Sequence, residues 1–338
     1  MTEVVIAHDY LTQRGGAERV VLALLDAFPG ARVVTSVYAP AGTFPEFRDV
    51  EIETILPAAL FGREARLAFP VLAPAFSRHV VRKADVVVCS SSGWAHGIST
   101  AAPKVVYCHT PARWLYATED YVAGHGRIVR GIAAAGGAPL RRWDRRAAAS
   151  AAVYVANSTV VRERIANVYG RMAEVVHPPA SLDPGGLQET VEVGEPFLLT
   201  VARPRGYKNL AVVEAGAAEA GVRLVTVEGG VDDAQLRWLY ANCRGLVAAA
   251  YEDFGLTPVE AMSFGKPVLA LRAGGYLDSV VENVTGSFFD RLDVRALAEA
   301  LAGFNETAFD GGTIRRHAER FSPERFAARM REIVAAVA

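Results

Sequence analysis

The chain has 338 residues, of which 51 % are apolar and 22 % charged, enough for two domains of ordinary size with a core in each. A net charge of −1 gives no general case for nucleic-acid binding. The three cysteines, Cys89, Cys108 and Cys243, stand at unrelated spacings that form neither a zinc pattern nor a disulfide framework, and they read as small buried thiols.

In chain order, the start Met1-Thr2-Glu3-Val4 lacks the basic region of a signal peptide, and a β-branched run predicts a first strand at 4–7. That strand runs into His8-Asp9-Tyr10 and on to Gly15-Gly16-Ala17-Glu18, where a helix is expected at 17–28. Two glycines at a helix N-terminus let backbone N–H groups approach a phosphate, although a plain tight turn reads equally well. The G-x-G-x-x-G dinucleotide fingerprint is absent, which counts against a simple NAD enzyme. Further strands are expected at 32–37, 85–89, 104–108 and 153–156, with a helix at 140–150. The longest charge-free stretch, 86–103, is broken by Ser90-Ser91-Ser92, His96 and glycines, so it reads as a strand plus a polar loop rather than a membrane span. The expectation is a cytoplasmic protein, soluble or peripheral at the inner face of the membrane.

His109 leaves the strand at 104–108 ahead of Thr110-Pro111-Ala112-Arg113-Trp114. A histidine at a strand tip can donate to a sugar hydroxyl or a developing charge, or it can satisfy loop carbonyls. After His177-Pro178-Pro179, the turn-rich passage Ser181-Leu182-Asp183-Pro184-Gly185-Gly186 is the best linker candidate. The strand rhythm restarts at 197–201, 223–227, 246–250, 268–271 and 287–289, and an amphipathic helix is expected at 323–337. Strands alternating with helices argue for parallel sheets, whose ligands sit beyond the carboxyl ends of the strands.

Two loops in the second half meet that condition. Arg203, Arg205 and Lys208 crowd the loop after 197–201, where a diphosphate would neutralise them; the alternative is a solvated basic loop. The loop after 246–250 reads Tyr251-Glu252-Asp253-Phe254-Gly255-Leu256-Thr257-Pro258-Val259-Glu260 and opens a helix expected to start with proline. Phe254, Gly255 and Leu256 would present backbone N–H groups to phosphate, and carboxylates suit vicinal hydroxyls. Glu252 has no local capping role. Glu260 does, because Thr257-Pro258-Val259-Glu260 fits a capping box as well as a ligand site. With no Asp-x-Asp dyad and no histidine pair at ligand spacing, neither a divalent metal nor a cofactor is expected.

Together these pieces resemble glycosyltransferase family 4, retaining enzymes of the GT-B fold. The resemblance rests on Gly15-Gly16-Ala17-Glu18, His109-Thr110-Pro111, Arg203 with Lys208, and Glu252 with Phe254-Gly255, Pro258 and Glu260-Ala261-Met262. Gly265-Lys266-Pro267-Val268 and Gly274-Gly275 complete it, so that it spans nearly the whole chain. It implies an α/β protein of two Rossmann-like doubly wound domains facing a central cleft: 1–180 for the acceptor and 190–322 for the nucleotide-sugar donor, with 323–338 packing back on the first. The wording around His109, Arg113 and Trp114 is most similar to bacterial enzymes that transfer mannose from GDP-mannose in surface-polysaccharide assembly.

By that resemblance Glu252, Phe254, Gly255, Leu256 and Thr257 hold the donor sugar and its phosphates, and Glu260 the ribose. Arg203 and Lys208 hold the diphosphate, with Gly15 and Gly16 approaching it. His109 lies beside the reacting sugar, and Tyr10, Arg113 and Trp114 serve the acceptor, a glycan or lipid-linked sugar. Residues 1–178 hold 20 basic and 15 acidic side chains, and 179–338 hold 16 and 22. Arg141, Arg142, Arg145 and Arg146 around Trp143 fall on one face of a helix expected at 139–150, which suits an anionic membrane or a lipid diphosphate; a solvated face offset by Asp144 is the other reading. Two alternatives to a transferase stay open: a GT-B epimerase, which needs further acid/base groups where the sequence offers few beyond Asp9, His109 and Glu252, and a non-catalytic nucleotide-sugar-binding homologue.

Overall fold

The structure, a computed structural model, describes residues 2–57, 69–116, 127–194, 196–202 and 209–338; for 70 and 127–136 it describes the backbone alone. The chain forms two compact units, Met1–His177 with Phe326–Ala338, and Pro178–Arg325.

Unit 1 contains β1 (Val4–His8), α1 (Gly16–Ala27), β2 (Arg32–Thr35), β3 (Ile52–Thr54), α2 (Phe69–Arg78), β4 (Val80–Val81), β5 (Val86–Ser91), β6 (Ser99–Thr100) and β7 (Lys104–Cys108). It continues with α3 (Arg113–Tyr116), α4 (Arg127–Ala149), β8 (Val153–Ala156), α5 (Thr159–Tyr169) and β9 (Glu174–Val175). A parallel sheet runs in the order β3-β2-β1-β5-β7-β8-β9. β1, β5 and β7 are buried along their whole length, as parallel strands covered on both faces must be. Alternation assigns their side chains to two cores: Val5, Ala7, Val87 and Cys89 to one, Val4, Ile6, Val86 and Val88 to the other.

Unit 2 contains β10 (Leu198–Val201), α6 (Leu210–Glu219), β11 (Leu224–Val227), α7 (Asp233–Asn242), β12 (Leu246–Ala248), α8 (Leu256–Ser263) and β13 (Val268–Leu271). α9 (Tyr276–Ser279), β14 (Gly286–Phe289), α10 (Val294–Gly303) and α11 (Gly311–Ala318) follow. Its parallel sheet has the order β11-β10-β12-β13-β14. The same alternation sends Leu246, Ala248, Val268 and Ala270 to one face and Val247, Ala249, Leu269 and Leu271 to the other. α12 (Pro323–Ala335) places Phe326, Met330, Ile333 and Val334 in the unit 1 core beside Ile6 and Tyr107. The Phe326 ring meets Tyr107 edge-on at 5.6 Å, and Arg329 pairs with Glu174.

Both sheets are doubly wound, and each has one point where the strand order reverses: between β1 and β5 in unit 1, and between β10 and β12 in unit 2. Loops leaving adjacent strands at such a point splay apart and open a crevice at the carboxyl edge.

Two expectations need correcting, and four short strands went unforeseen. The passage 181–186 is no linker, because Leu182 is 2 % exposed in the unit 2 core and Ala180 N–H donates to the Phe321 carbonyl at 3.0 Å. The helix expected from 139 or 140 begins at Arg127; Pro139, which reads as a start, sits inside it. The strands β3, β4, β6 and β9 are two or three residues long, too short to show a period.

Candidate functional site

In unit 1 the reversal point gathers His8, Asp9, Ser90 and His109. Asp9 is buried, and its carboxylate accepts from the backbone N–H groups of Ser92 (2.7 Å), Trp94 (3.2 Å) and Ala95 (2.7 Å) and from Ser91 Oγ (3.4 Å). A carboxylate so occupied clamps the turn after β5, and this removes Asp9 as an acid or base. His8 Nδ1 lies 3.1 Å from both the carbonyl and the hydroxyl oxygen of Ser90, and Ser90 Oγ lies 2.8 Å from His109 Nε2. His109 therefore contacts a strand hydroxyl rather than loop carbonyls. Burial, and after it the nearby His8, pull its pKa down to about 3.

Gly15 is the N-cap of α1 and Gly16 its first residue, with no side-chain cap, as an anion-approaching turn requires. Tyr10 is half-buried on the loop after β1, and Arg113 opens α3. Trp114 stacks on Trp94 at 4.3 Å between centroids and 11° between planes, packed against the core. This face-to-face burial gives Trp114 a packing role on that side.

In unit 2 the chain leaves β12 through Glu252, Asp253 and Phe254 and enters α8 at Leu256. Gly255 is the N-cap at φ 85°, a left-handed value suited to glycine, and no side chain caps the helix. The loop is braced from β13: Gly275 N–H donates to the Glu252 carbonyl at 3.0 Å. A Cβ on Gly274 would run into that carbonyl, and one on Gly275 into the Phe254 backbone. Phe254 is buried against Phe321 at 5.8 Å, so its ring anchors the loop while Glu252 stays partly exposed.

The N-cap lies two residues before the expected one, at Gly255 rather than Thr257, which corrects the capping box. Pro258 is its third residue, not its first, and Thr257 is its second. Glu260 accepts instead from Tyr240 Oη at 2.9 Å on one oxygen and from Ser181 Oγ on the other, and it is 7 % exposed. Each carboxylate oxygen keeps a second lone-pair site. Arg203, Arg205 and Lys208 lie outside the described residues. Asn209, just after them, donates from Nδ2 to the Ala249 carbonyl at 3.1 Å and so ties the start of α6 to the end of β12.

On α4, Arg142, Arg145 and Arg146 are exposed on one face, but Arg141 is half-buried and donates to the Leu115 carbonyl at 3.3 Å. Asp144, expected to offset that charge, points inward instead: it is fully buried, 2.9 Å from His96 Nε2 and 2.7 Å from Tyr116 Oη. Among the described residues no group of three His, Cys, Asp or Glu side chains could hold a metal ion.

The family model described as Glycosyltransferase Family 4 matches residues 14–183, half of the chain. The chain belongs to glycosyltransferase family 4. A second model, Glycosyl transferases group 1, matches residues 206–308 and thus covers the β12–α8 loop. The chain is 33 % identical over 195 residues to a sucrose synthase of Acidithiobacillus caldus, a match covering 41 % of this chain and 25 % of that protein. It therefore spans about a quarter of that relative. With the human alpha-1,3/1,6-mannosyltransferase ALG2 it shares 26 % identity over 388 residues, covering 92 % of this chain and 91 % of the relative. Among solved structures, Anabaena Alr3699/HepE in complex with UDP superposes with a TM-score of 0.69 at 18 % identity, covering 99 % of this chain and 100 % of that one. The fold of this family 4 chain is therefore GT-B.

The sequence did not single out Ser181 or Tyr240 as partners of Glu260, nor Ser90 as the partner of His8 and His109. Ser181 sits in a passage that reads as linker, Tyr240 looks like an ordinary helix aromatic, and Ser90 is one of three consecutive serines.

Proposed function

We propose that this chain is a retaining hexosyltransferase that moves a hexose, with mannose favoured, from a nucleotide sugar, with GDP-mannose favoured, to a glycan or lipid-linked sugar. One observation carries the reading: the uncapped N-terminus of α8, opened by Gly255 and braced by Gly274 and Gly275, beside a partly exposed Glu252. Backbone N–H groups at a helix N-terminus suit a diphosphate, and a carboxylate two residues before the loop's buried Phe254 suits sugar hydroxyls. The name of the human relative supports mannose, and the UDP complex of the Anabaena protein supports a nucleotide ligand.

In this reading Glu252 holds the hexose and Leu256 and Thr257 turn their N–H groups to phosphate. Glu260 accepts from the ribose hydroxyls. Arg203 and Lys208 neutralise the diphosphate as the glycosyl–phosphate bond breaks, without a metal or cofactor. The acceptor oxygen bonds to the anomeric carbon on the face that the phosphate leaves, and its proton passes to the departing phosphate oxygen. Gly15 and Gly16 offer further N–H groups to phosphate, and neutral His109 donates to a sugar hydroxyl. Tyr10 and Arg113 serve the acceptor. Exposed Arg142, Arg145 and Arg146 face an anionic membrane surface.

Incubation with a panel including GDP-mannose and UDP-glucose tests the reading. A transferase releases nucleotide slowly without acceptor and faster with one, retaining the anomeric configuration in the product. Isomerised sugar with the nucleotide still attached would make the chain an epimerase, a reading that the occupied Asp9 carboxylate disfavours. Binding without turnover would make it a non-catalytic homologue.

A further inference from the structure

Three of the four polar side chains at the unit 1 reversal point, His8, Ser90 and His109, fix each other's protons. The Ser90 carbonyl can only accept, so His8 carries a proton on Nδ1 and directs it at the Ser90 carbonyl and hydroxyl oxygens, each 3.1 Å away. Ser90 Oγ thus accepts from His8 and has one proton of its own to give. Its remaining neighbour is His109 Nε2 at 2.8 Å. If Nε2 carried the proton instead, the Ser90 hydroxyl would have no acceptor in a residue that is 0 % exposed, an arrangement costing about 1–3 kcal/mol. Nε2 is therefore bare, and a neutral His109 ring holds its proton on Nδ1. The His109 backbone N–H donates to the Ser91 carbonyl at 2.9 Å, which anchors the residue, and the edge-on Tyr107 ring packs against the imidazole at 5.4 Å. Nδ1 makes no hydrogen bond to another described residue.

We propose that His8 and Ser90 are positioning residues that lock His109 in its Nδ1–H tautomer, so that unit 1 presents a hydrogen-bond donor, not a base, to a hydroxyl of the sugar substrate. The sugar-facing part rests on the transferase reading above; the tautomer does not. Burial of the ring keeps it neutral at physiological pH, so the donor is set by Ser90 and not by added protons.

The test uses the full chain labelled with nitrogen-15 in its histidine rings, with His109 assigned from the signal lost in His109→Gln. At neutral pH the wild-type ring should show a protonated Nδ1 and a bare Nε2. Ser90→Ala should give a mixture of tautomers and lower kcat about tenfold, the scale of one lost hydrogen bond, with little change in donor KM. Ser90→Thr, which keeps the hydroxyl, should restore the single tautomer and most of the turnover. A protonated Nε2 in the wild type, or a charged ring at neutral pH, overturns the proposal. So does a Ser90→Ala chain that loses turnover with its tautomer unchanged, since the role would then be structural. Absence of any nucleotide-sugar turnover in the wild type would remove the sugar-facing role together with the transferase reading. The two failures are distinguishable because the ring spectrum needs no substrate.

Discussion

Glu260 shows at the level of one side chain how burial and partners decide what a motif means. Its spacing from Thr257 allows a capping box, yet helix α8 begins at Leu256 and leaves the carboxylate to Tyr240 and Ser181. No local pattern could reveal this, because both partners are distant in the chain. Tyr240→Phe removes one donor from a buried carboxylate, so it should destabilise unit 2 by about 1–3 kcal/mol and weaken nucleotide binding. Urea unfolding and calorimetric titration with GDP and UDP check both; unchanged binding to either would take Glu260 out of the nucleotide site. His109 supplies a pH test. Its folded pKa, about 3, lies below the unfolded value near 6.5, so from pH 6.5 downward the unfolded chain takes up a proton that the folded chain refuses. Its contribution to stability is whole above that range and falls by about 1.4 kcal/mol per pH unit as pH drops toward 3. The difference in unfolding free energy between wild type and His109→Gln should change with that sign between neutral pH and pH 5. A flat difference would mean that the ring is solvated.

At the level of elements, most strands could be read because β-branched runs four or five residues long are the ladder residues themselves: 104–108, 153–156 and 268–271 coincide with β7, β8 and β13. What escaped were contacts between elements, such as the packing that draws 181–186 into unit 2 and the brace of Gly274 and Gly275 beneath the Glu252 loop. That brace predicts a contrast between two glycines. Gly30 has φ 85° with open space around its missing Cβ, whereas Gly274 has φ 61° and would press a Cβ into the Glu252 carbonyl. Alanine at either position should cost about 1–2 kcal/mol from backbone conformation alone. Only Gly274→Ala should also abolish turnover, by displacing the loop. Equal activity of the two variants, measured alongside their melting curves, would remove the brace from the account. Helix α12 is the other contrast: Met330, fully buried in the unit 1 core, should cost about 2–5 kcal/mol when changed to alanine. Hydrogen exchange should show the loss in β1, β5 and β7 rather than in β10–β14.

Across the whole molecule, the basic excess of the first half and the acidic excess of the second are sequence facts; which arginines face solvent is not. Arg141 turns toward the Leu115 carbonyl, leaving Arg142, Arg145 and Arg146 as the exposed face. Their joint change to Gln should weaken sedimentation with anionic vesicles on the order of a hundredfold, at about 1 kcal/mol per residue, and added salt should do the same to the wild type. A wild-type chain that stays in solution at low salt would point to a soluble acceptor. The family and the GT-B fold could be read from an ordered series of short motifs, each weak alone; among the described residues, those at Gly15-Gly16, His109 and Glu252–Gly255 mark loops at the carboxyl edge of a sheet, where ligands bind. The most direct measurement of the central claim, that the β12–α8 loop of unit 2 holds the reacting sugar, is Glu252→Ala assayed for both hexose transfer and nucleotide affinity. Transfer should fall by about 10²-fold or more, the scale of one lost transition-state stabiliser, with the affinity for the nucleoside diphosphate largely intact. Near-normal transfer by this variant would contradict the account.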